Sequence, residues 1–226
     1  MTPEPQKEVP WYFDEQITRT YESWYDGKYK EADLEEKTLL NRAVQWIGGV
    51  RSLLEVGCGT AHFTRWFAAT GLECCGADIS PLMLNEARRL WRADRLVRAA
   101  APLIPLRDQS VDVVAFITCF EYMKRPVDVV REARRVARAG VVFGLMNAWS
   151  VPTARRKVQI LFGKNPFYKT AHFYSLREIK QVIAEAVGQG NCAIFQRSGV
   201  FPKIVPLEQS RIPLGAFLCV ALRLRN

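Results

Sequence analysis

Histidine is scarce in this chain: two in 226 residues, His62 and His172. Cysteine pairs are missing as well. The six cysteines (Cys58, Cys74, Cys75, Cys119, Cys192, Cys219) include no Cys-x-x-Cys unit, and most sit in apolar runs, where a thiol behaves as a small hydrophobe. Together these argue against a zinc site, so no metal is expected, and they point to a reducing, cytoplasmic setting. Long apolar runs are absent too. The strongest, around Val113–Phe120 and Gly215–Leu222, fall far short of a bilayer's thickness, so no membrane span is expected. The opening Met1-Thr2-Pro3-Glu4-Pro5 has neither a basic nor an apolar leader region, which disfavours a secretory signal. There is no repeat, no low-complexity tract and no Gly/Ser-rich linker.

What is present fits one α/β domain with elaborations. Apolar residues make up 49% and charged residues 24%, close to the globular average, which excludes a disordered chain or a disulfide-held miniprotein. Lys and Arg total 32 against 23 Asp and Glu, a net charge of +9. A basic balance admits nucleic acid. However, Arg88, Arg89, Arg92, Arg95 and Arg98, then Arg131, Arg134, Arg135 and Arg138, read as solvated helix faces. Arg155-Arg156-Lys157 is the compact basic triplet.

From residue 51 the chain alternates between short β-type runs and helical periodicity. Arg51–Val56, Leu72–Ala77, a short stretch near Arg95–Arg98, Val111–Ile117 and Val141–Leu145 are predicted strands. Between them, Ala61–Ala69 has Phe63, Trp66 and Phe67 at helical spacing. Ser80-Pro81 caps and starts a helix with the stripe Met83, Leu84, Ala87, Leu90, Trp91. Pro126–Ala137 is another helix, and Ser175–Ala186 opens with the capping box Ser175-x-x-Glu178. Two closing strands, Cys192–Arg197 and Phe217–Arg223, have no helix between them. The pattern implies a Rossmann-like, doubly wound, mostly parallel seven-stranded sheet with an antiparallel edge strand. The expected division is an aromatic lid over residues 1–45, a core over 46–147, a covering insertion over 148–174, and a last helix with edge strands over 175–226.

The sharpest local signal is Leu53-Leu54-Glu55-Val56-Gly57-Cys58-Gly59-Thr60, a strand running through two glycines into a helix. Glycine there permits a tight turn and close approach of a ligand to backbone. Asp78 closes the next strand, where a carboxylate can accept hydrogen bonds from ribose hydroxyls. A dinucleotide fingerprint needs a third glycine, and His62 stands at that place. Glu55 beside the turn would also repel a pyrophosphate, whereas it tolerates a ligand bearing an ammonium and a sulfonium.

In these motifs the chain resembles class I S-adenosylmethionine-dependent methyltransferases of the small-molecule type. Leu53–Thr60 resembles their first motif, Gly76-Ala77-Asp78-Ile79-Ser80-Pro81 the second strand with its acidic end, and Leu103–Val114 the segment leading into the fourth strand. The likeness covers roughly residues 50–145 and extends loosely to His172-Phe173-Tyr174-Ser175. It implies S-adenosylmethionine as cofactor. Glu55, Gly57, Cys58 and Gly59 would lie under its methionine part, Asp78 at the ribose, Ile79 and Met83 on the adenine face, Ala101 along the adenine edge, and Thr118 near the methyl group. Ala100 departs from the acidic residue often found there in this class.

Residues at the carboxyl ends of the fourth and fifth strands, with the flanking segments, supply the acceptor candidates. Tyr21, Tyr122 and His172 are candidate catalytic residues, and Tyr25, Glu121, Asn147, Trp149 and Tyr174 candidate pocket residues. The aromatic content favours a small apolar or aromatic acceptor. An RNA methyltransferase and a non-catalytic cofactor-binding subunit are the competing readings, nucleic acid being the less favoured partner. Asn165-Pro166-Phe167-Tyr168 resembles the base-holding string of nucleic-acid amino methyltransferases, but it falls well after the fourth strand and reads better as an aromatic turn.

Overall fold

The computed structural model describes residues 10–92, 95–164, 166–188, 190–200 and 213–224. The expectation drawn from residues 1–5 and the role of Asn165 lie outside these described residues. The strands are β1 (Ser52–Val56), β2 (Glu73–Asp78), β3 (Leu96–Arg98), β4 (Val111–Ile117), β5 (Ala137–Met146), β6 (Cys192–Gly199) and β7 (Phe217–Leu224). The helices are α1 (Glu15–Thr20), α2 (Lys30–Ile47), α3 (His62–Ala69), α4 (Pro81–Leu90), α5 (Pro126–Val136), α6 (Val151–Leu161) and α7 (Leu176–Val187).

The strands form one sheet in the order β3-β2-β1-β4-β5-β7-β6. The first five are mutually parallel, and β7 runs antiparallel to both its neighbours. β6 and β7 thus form the antiparallel edge pair expected from sequence, with the reversed strand β7 on its inner side, between β5 and β6. β7 lies inside the sheet because Phe217–Leu222 is apolar on both faces and fully buried, which an edge position would waste.

Side-chain alternation along the central strands divides the core in two. Leu54, Val56, Val114, Phe116, Val141 and Phe143 face α5 and α7. Leu53, Val113, Ala115, Ile117 and Val142 face α2 and α3. This double burial is why β4 reads as a nearly continuous apolar run, broken by Asp112 at its start, where the carboxylate accepts the Arg51 and Ser52 N–H groups. The helices begin as their sequences dictate. The Ser80 hydroxyl accepts the Met83 N–H at 3.2 Å ahead of Pro81, and Ser175 with Glu178 completes the capping box of α7.

One expectation needs correction. The boundary at residue 45 cuts through α2, which is not part of a lid. Leu39, Leu40, Ala43, Val44 and Ile47 recur at helical spacing and are buried against the sheet. Only the stretch before it, with α1 and the 3-10 turns Trp11–Phe13, Tyr21–Tyr25 and Gly27–Tyr29, lies over the carboxyl ends of the strands.

Candidate active site

The chain leaves β1 toward β2 and β3, then returns to the other side through β4 and β5. The crevice of such a sheet opens at the carboxyl ends of the two strands where the winding reverses, here β1 and β4. A cavity of about 430 Å³ lies there, within the range of small-molecule sites. Its floor is Glu55–Thr60, one wall Asp78, Ile79 and Met83, another Ala99–Pro102, and its far side Ile117–Cys119 and Tyr122.

The glycine turn is held by β2: the N–H groups of Gly57 and Cys58 donate to the Ala77 carbonyl at 2.7 and 3.1 Å. Gly57 has φ +73°, and a Cβ there would lie 2.7 Å from the Cys119 side chain. The position therefore needs glycine on both conformational and steric grounds. Thr118, the residue after β4, also has positive φ (+50°), a strained backbone for a β-branched residue. Its N–H is fixed to the Gly144 carbonyl at 2.7 Å.

Two carboxyls lie in this cavity. Asp78 accepts the Gly59 N–H on Oδ2 and the Ser80 N–H on Oδ1, both at 2.8 Å. Burial raises its pKa against the lowering effect of those bonds. Each oxygen retains a further lone-pair direction. Glu55 accepts a hydrogen bond from the Thr64 hydroxyl. Burial, with a smaller contribution from the Asp78 charge, lifts its pKa to about 8 despite that bond. A cationic group arriving beside Glu55 favours its ionised form.

The roof comes from the N-terminal stretch. Trp11 stacks on Tyr21 (centroids 5.7 Å apart) and meets Tyr122 and Phe167 edge-on at 5.9 Å. Tyr25 lies flat on the His62 ring at 3.6 Å. Trp11, Tyr12, Tyr21 and Tyr25 all border the cavity. Polar bonds pin this roof to the glycine turn and α3: Glu22 accepts from the Thr60 hydroxyl and, at 2.7 Å, from Arg65, while α3 is in turn tied to α2 by His62 Nε2, 2.7 Å from Asp33 Oδ1. Burial alone would raise the pKa of Glu22, but hydrogen bonds with His62, Thr60 and Arg65 outweigh it and bring it to about 2.

All nine positions expected at the cofactor (Glu55, Gly57, Cys58, Gly59, Asp78, Ile79, Met83, Ala101 and Thr118) border this one cavity, as do Tyr21, Tyr25 and Tyr122. Five acceptor candidates do not border it. His172 is exposed, its Nε2 3.5 Å from Glu178. Asn147 is spent on the chain, donating to the Pro213 and Gly215 carbonyls at 2.8 Å and accepting the Trp149 N–H. Trp149 is exposed beside Leu176 and Leu214. Tyr174 is buried against Phe120. Glu121 points back toward β5, where its Oε1 accepts the Met146 N–H at 2.6 Å. Burial lifts its pKa to about 7. The reason is topological: β5 lies one strand beyond the reversal, so its carboxyl end misses the crevice. The 3-10 turn Phe120–Tyr122 sends alternate residues to opposite sides, Tyr122 in and Glu121 away. Sequence reading passed over Met123, Lys124 and Arg125, which follow directly on Tyr122, and Val129 in the first turn of α5, all of which also border the cavity.

Residues 54–145 match the family described as methyltransferase domain. An uncharacterized protein of Methanocaldococcus jannaschii is 27% identical over 169 residues, 73% of this chain and 75% of its own length. Malonyl-[acyl-carrier protein] O-methyltransferase of Enterobacter lignolyticus is 34% identical over 106 residues, 46% of this chain and 42% of that enzyme. The chain thus spans less than half of the latter relative. Among solved structures, a SAM-dependent methyltransferase from Thermotoga maritima superposes with a TM-score of 0.72 at 20% identity, covering 95% of this chain and all of that one. Magnesium protoporphyrin IX methyltransferase from Synechocystis, solved with bound SAH, gives 0.65 at 14% identity, over 96% and 97% of the two chains. The glycine turn and its acidic partner on β2 lie inside the stretch that matches the methyltransferase domain, on a fold shared with S-adenosylmethionine-dependent methyltransferases, whose cofactor is S-adenosylmethionine. The cavity's residues fit that molecule: glycine backbone that a Cβ would obstruct, a carboxylate with spare acceptor directions and a carboxyl suited to meet a cation.

Proposed function

We propose that this chain transfers a methyl group to a small acceptor of apolar or aromatic character, held between Thr118 and the roof formed by Trp11, Tyr12, Tyr21 and Tyr122. The supporting observation is the composition of that side of the cavity, rings packed edge and face around Trp11, opposite the glycine turn. When bound, S-adenosylmethionine supplies an already activated methyl group, so chemistry asks the protein mainly for position and dryness.

Glu55 and the Gly57–Gly59 backbone would hold the charged amino-acid end, and Asp78 would hold the sugar hydroxyls. Ile79, Met83 and Ala101 would enclose the base, with backbone at Ala99–Ala101 standing in for the side-chain acceptor that Ala100 lacks. Burial pushes the phenols of Tyr21 and Tyr122 well above their ordinary range, so both stay protonated. Tyr21 orients an acceptor by ring contact and hydrogen-bond donation, Tyr122 by ring contact, and neither takes a proton from it. Tyr122 already donates to the Phe167 carbonyl at 3.2 Å.

The test uses the intact chain with methyl-labelled S-adenosylmethionine and fractionated cell extract. Label entering a low-molecular-weight, solvent-extractable fraction, and lost in Trp11→Ala with cofactor binding retained, supports the reading. Label entering RNA alone refutes it. Cofactor binding without transfer to any fraction favours a non-catalytic subunit.

A further inference from the structure

One helix carries its apolar side chains outward. In α6 and the residue after it, Val151, Val158, Leu161 and Phe162 are 72%, 52%, 84% and 74% exposed. Their spacing places them on a single stripe. α5 and α7 turn the equivalent stripes into the core, whereas α6 buries Thr153 alone. At 100° per residue Arg155 and Lys157 flank the stripe on either side, and both are exposed. Arg156 turns the other way, its guanidinium 5.0 Å from the Tyr168 ring. No Asp or Glu occurs between Glu132 and Glu178, so the charge that this segment itself carries has one sign.

We propose that α6 docks on the surface of an anionic lipid bilayer. The helix lies in the plane of the interface, with Val151, Val158, Leu161 and Phe162 in the acyl boundary and Arg155 and Lys157 among the lipid phosphates. Charge complementarity selects this occupant: an anionic bilayer presents an apolar layer beneath a negative one, in the order this helix can meet them. A second copy of the chain brings the same positive rim and repels. RNA offers phosphates, and a base could stack on Phe162, but it presents no continuous apolar layer for Val151, Val158 and Leu161. Among the described residues no helix is long and apolar enough to cross a membrane, so the contact is peripheral. From α6 the chain continues into the 3-10 turn Pro166–Tyr168, where Phe167 packs on Trp11 and Trp24. The docked helix is thereby continuous with the cavity roof. This docking goes beyond the acceptor reading and does not depend on it.

The test is co-sedimentation of the whole chain with vesicles of phosphatidylglycerol and phosphatidylcholine, and with phosphatidylcholine alone. Binding to the anionic vesicles should exceed binding to the neutral ones by about tenfold. Leu161→Glu with Phe162→Glu should cost about tenfold again, with cofactor titration and thermal melting unchanged as the control for folding. Separately, Arg155→Glu with Lys157→Glu should remove the preference for anionic lipid. Failure of the wild type to sediment, or equal sedimentation of the Leu161/Phe162 variant, overturns the proposal. So does a dimer that the same variant dissociates, or an RNA hairpin that binds more tightly than the vesicles.

Discussion

Asp78 does two jobs at once: it fastens the glycine turn through Gly59 and the start of α4 through Ser80, and it keeps lone pairs free toward the cavity. A charge-assisted hydrogen bond of this kind contributes about 1.5–3 kcal/mol. Asp78→Ala is therefore expected to weaken S-adenosylmethionine binding roughly ten- to a hundredfold in a calorimetric titration. Unchanged titration curves would remove the carboxylate from the site. At Gly57 the constraint is steric. Gly57→Ala forces an L-residue to φ +73° and drives its Cβ into Cys119, so a loss of about 2 kcal/mol is expected, seen as a melting temperature lower by roughly 4–8 °C. Residues of this type were legible in the sequence because backbone geometry restricts them: a turn that requires glycine and a strand end that places a carboxylate leave few alternatives. Glu121, Asn147 and Trp149 were drawn into the expected pocket by proximity to strand ends, and Tyr174 by its place at the end of the covering insertion. Whether a side chain there turns inward depends on the path of the following loop, which is set by tertiary contacts such as the Glu121–Met146 bond.

At the scale of elements, the stretch before α2 is attached to the glycine turn and α3 by a small polar cluster, Glu22 with Thr60, His62 and Arg65. Removing Glu22 breaks the bonds at Thr60 and Arg65. Glu22→Ala should accelerate amide exchange across residues 11–25 while leaving the central strands protected, as read by mass spectrometry. Equal protection in both proteins would show that the ring contacts alone hold the segment. The strands were readable because double burial leaves no polar face, as in Val111–Ile117. The helix α2 was not recognised, since Lys30–Lys37 is crowded with charge and the preceding aromatics suggested a lid throughout. Its buried stripe starts only at Leu39, half-way along the helix. The closing antiparallel pair was legible from the missing helix between its strands, but the placement of β7 between β5 and β6 was not, because pairing order is decided between segments far apart in the chain.

For the whole molecule, buried carboxyls set the dependence of stability on pH. Burial lifts Glu55 to about 8. Burial, then the neighbouring Asp33 charge, lifts Glu36 to about 8, and burial lifts Glu121 to about 7. A group whose folded pKa lies above its unfolded value contributes stability that is complete below the unfolded value and is lost as pH rises through the folded one. Glu22, held at about 2, acts oppositely: its contribution is present above the unfolded carboxyl value and is lost as pH falls toward 2. The melting temperature should peak at mildly acidic pH and decline from about pH 5 to about pH 9, and Glu121→Gln should flatten part of that decline. A profile rising steadily to alkaline pH would contradict the burial of these groups. The position of Trp11 has a kinetic corollary. Its indole joins four other rings drawn from the N-terminal stretch, the end of β4 and the turn after α6. Product departure must then undo contacts spread over three chain segments, while bond-making disturbs none of them. Rapid-quench sampling should accordingly show one fast enzyme-equivalent of product followed by a slower steady phase, the rate of escape governing throughput.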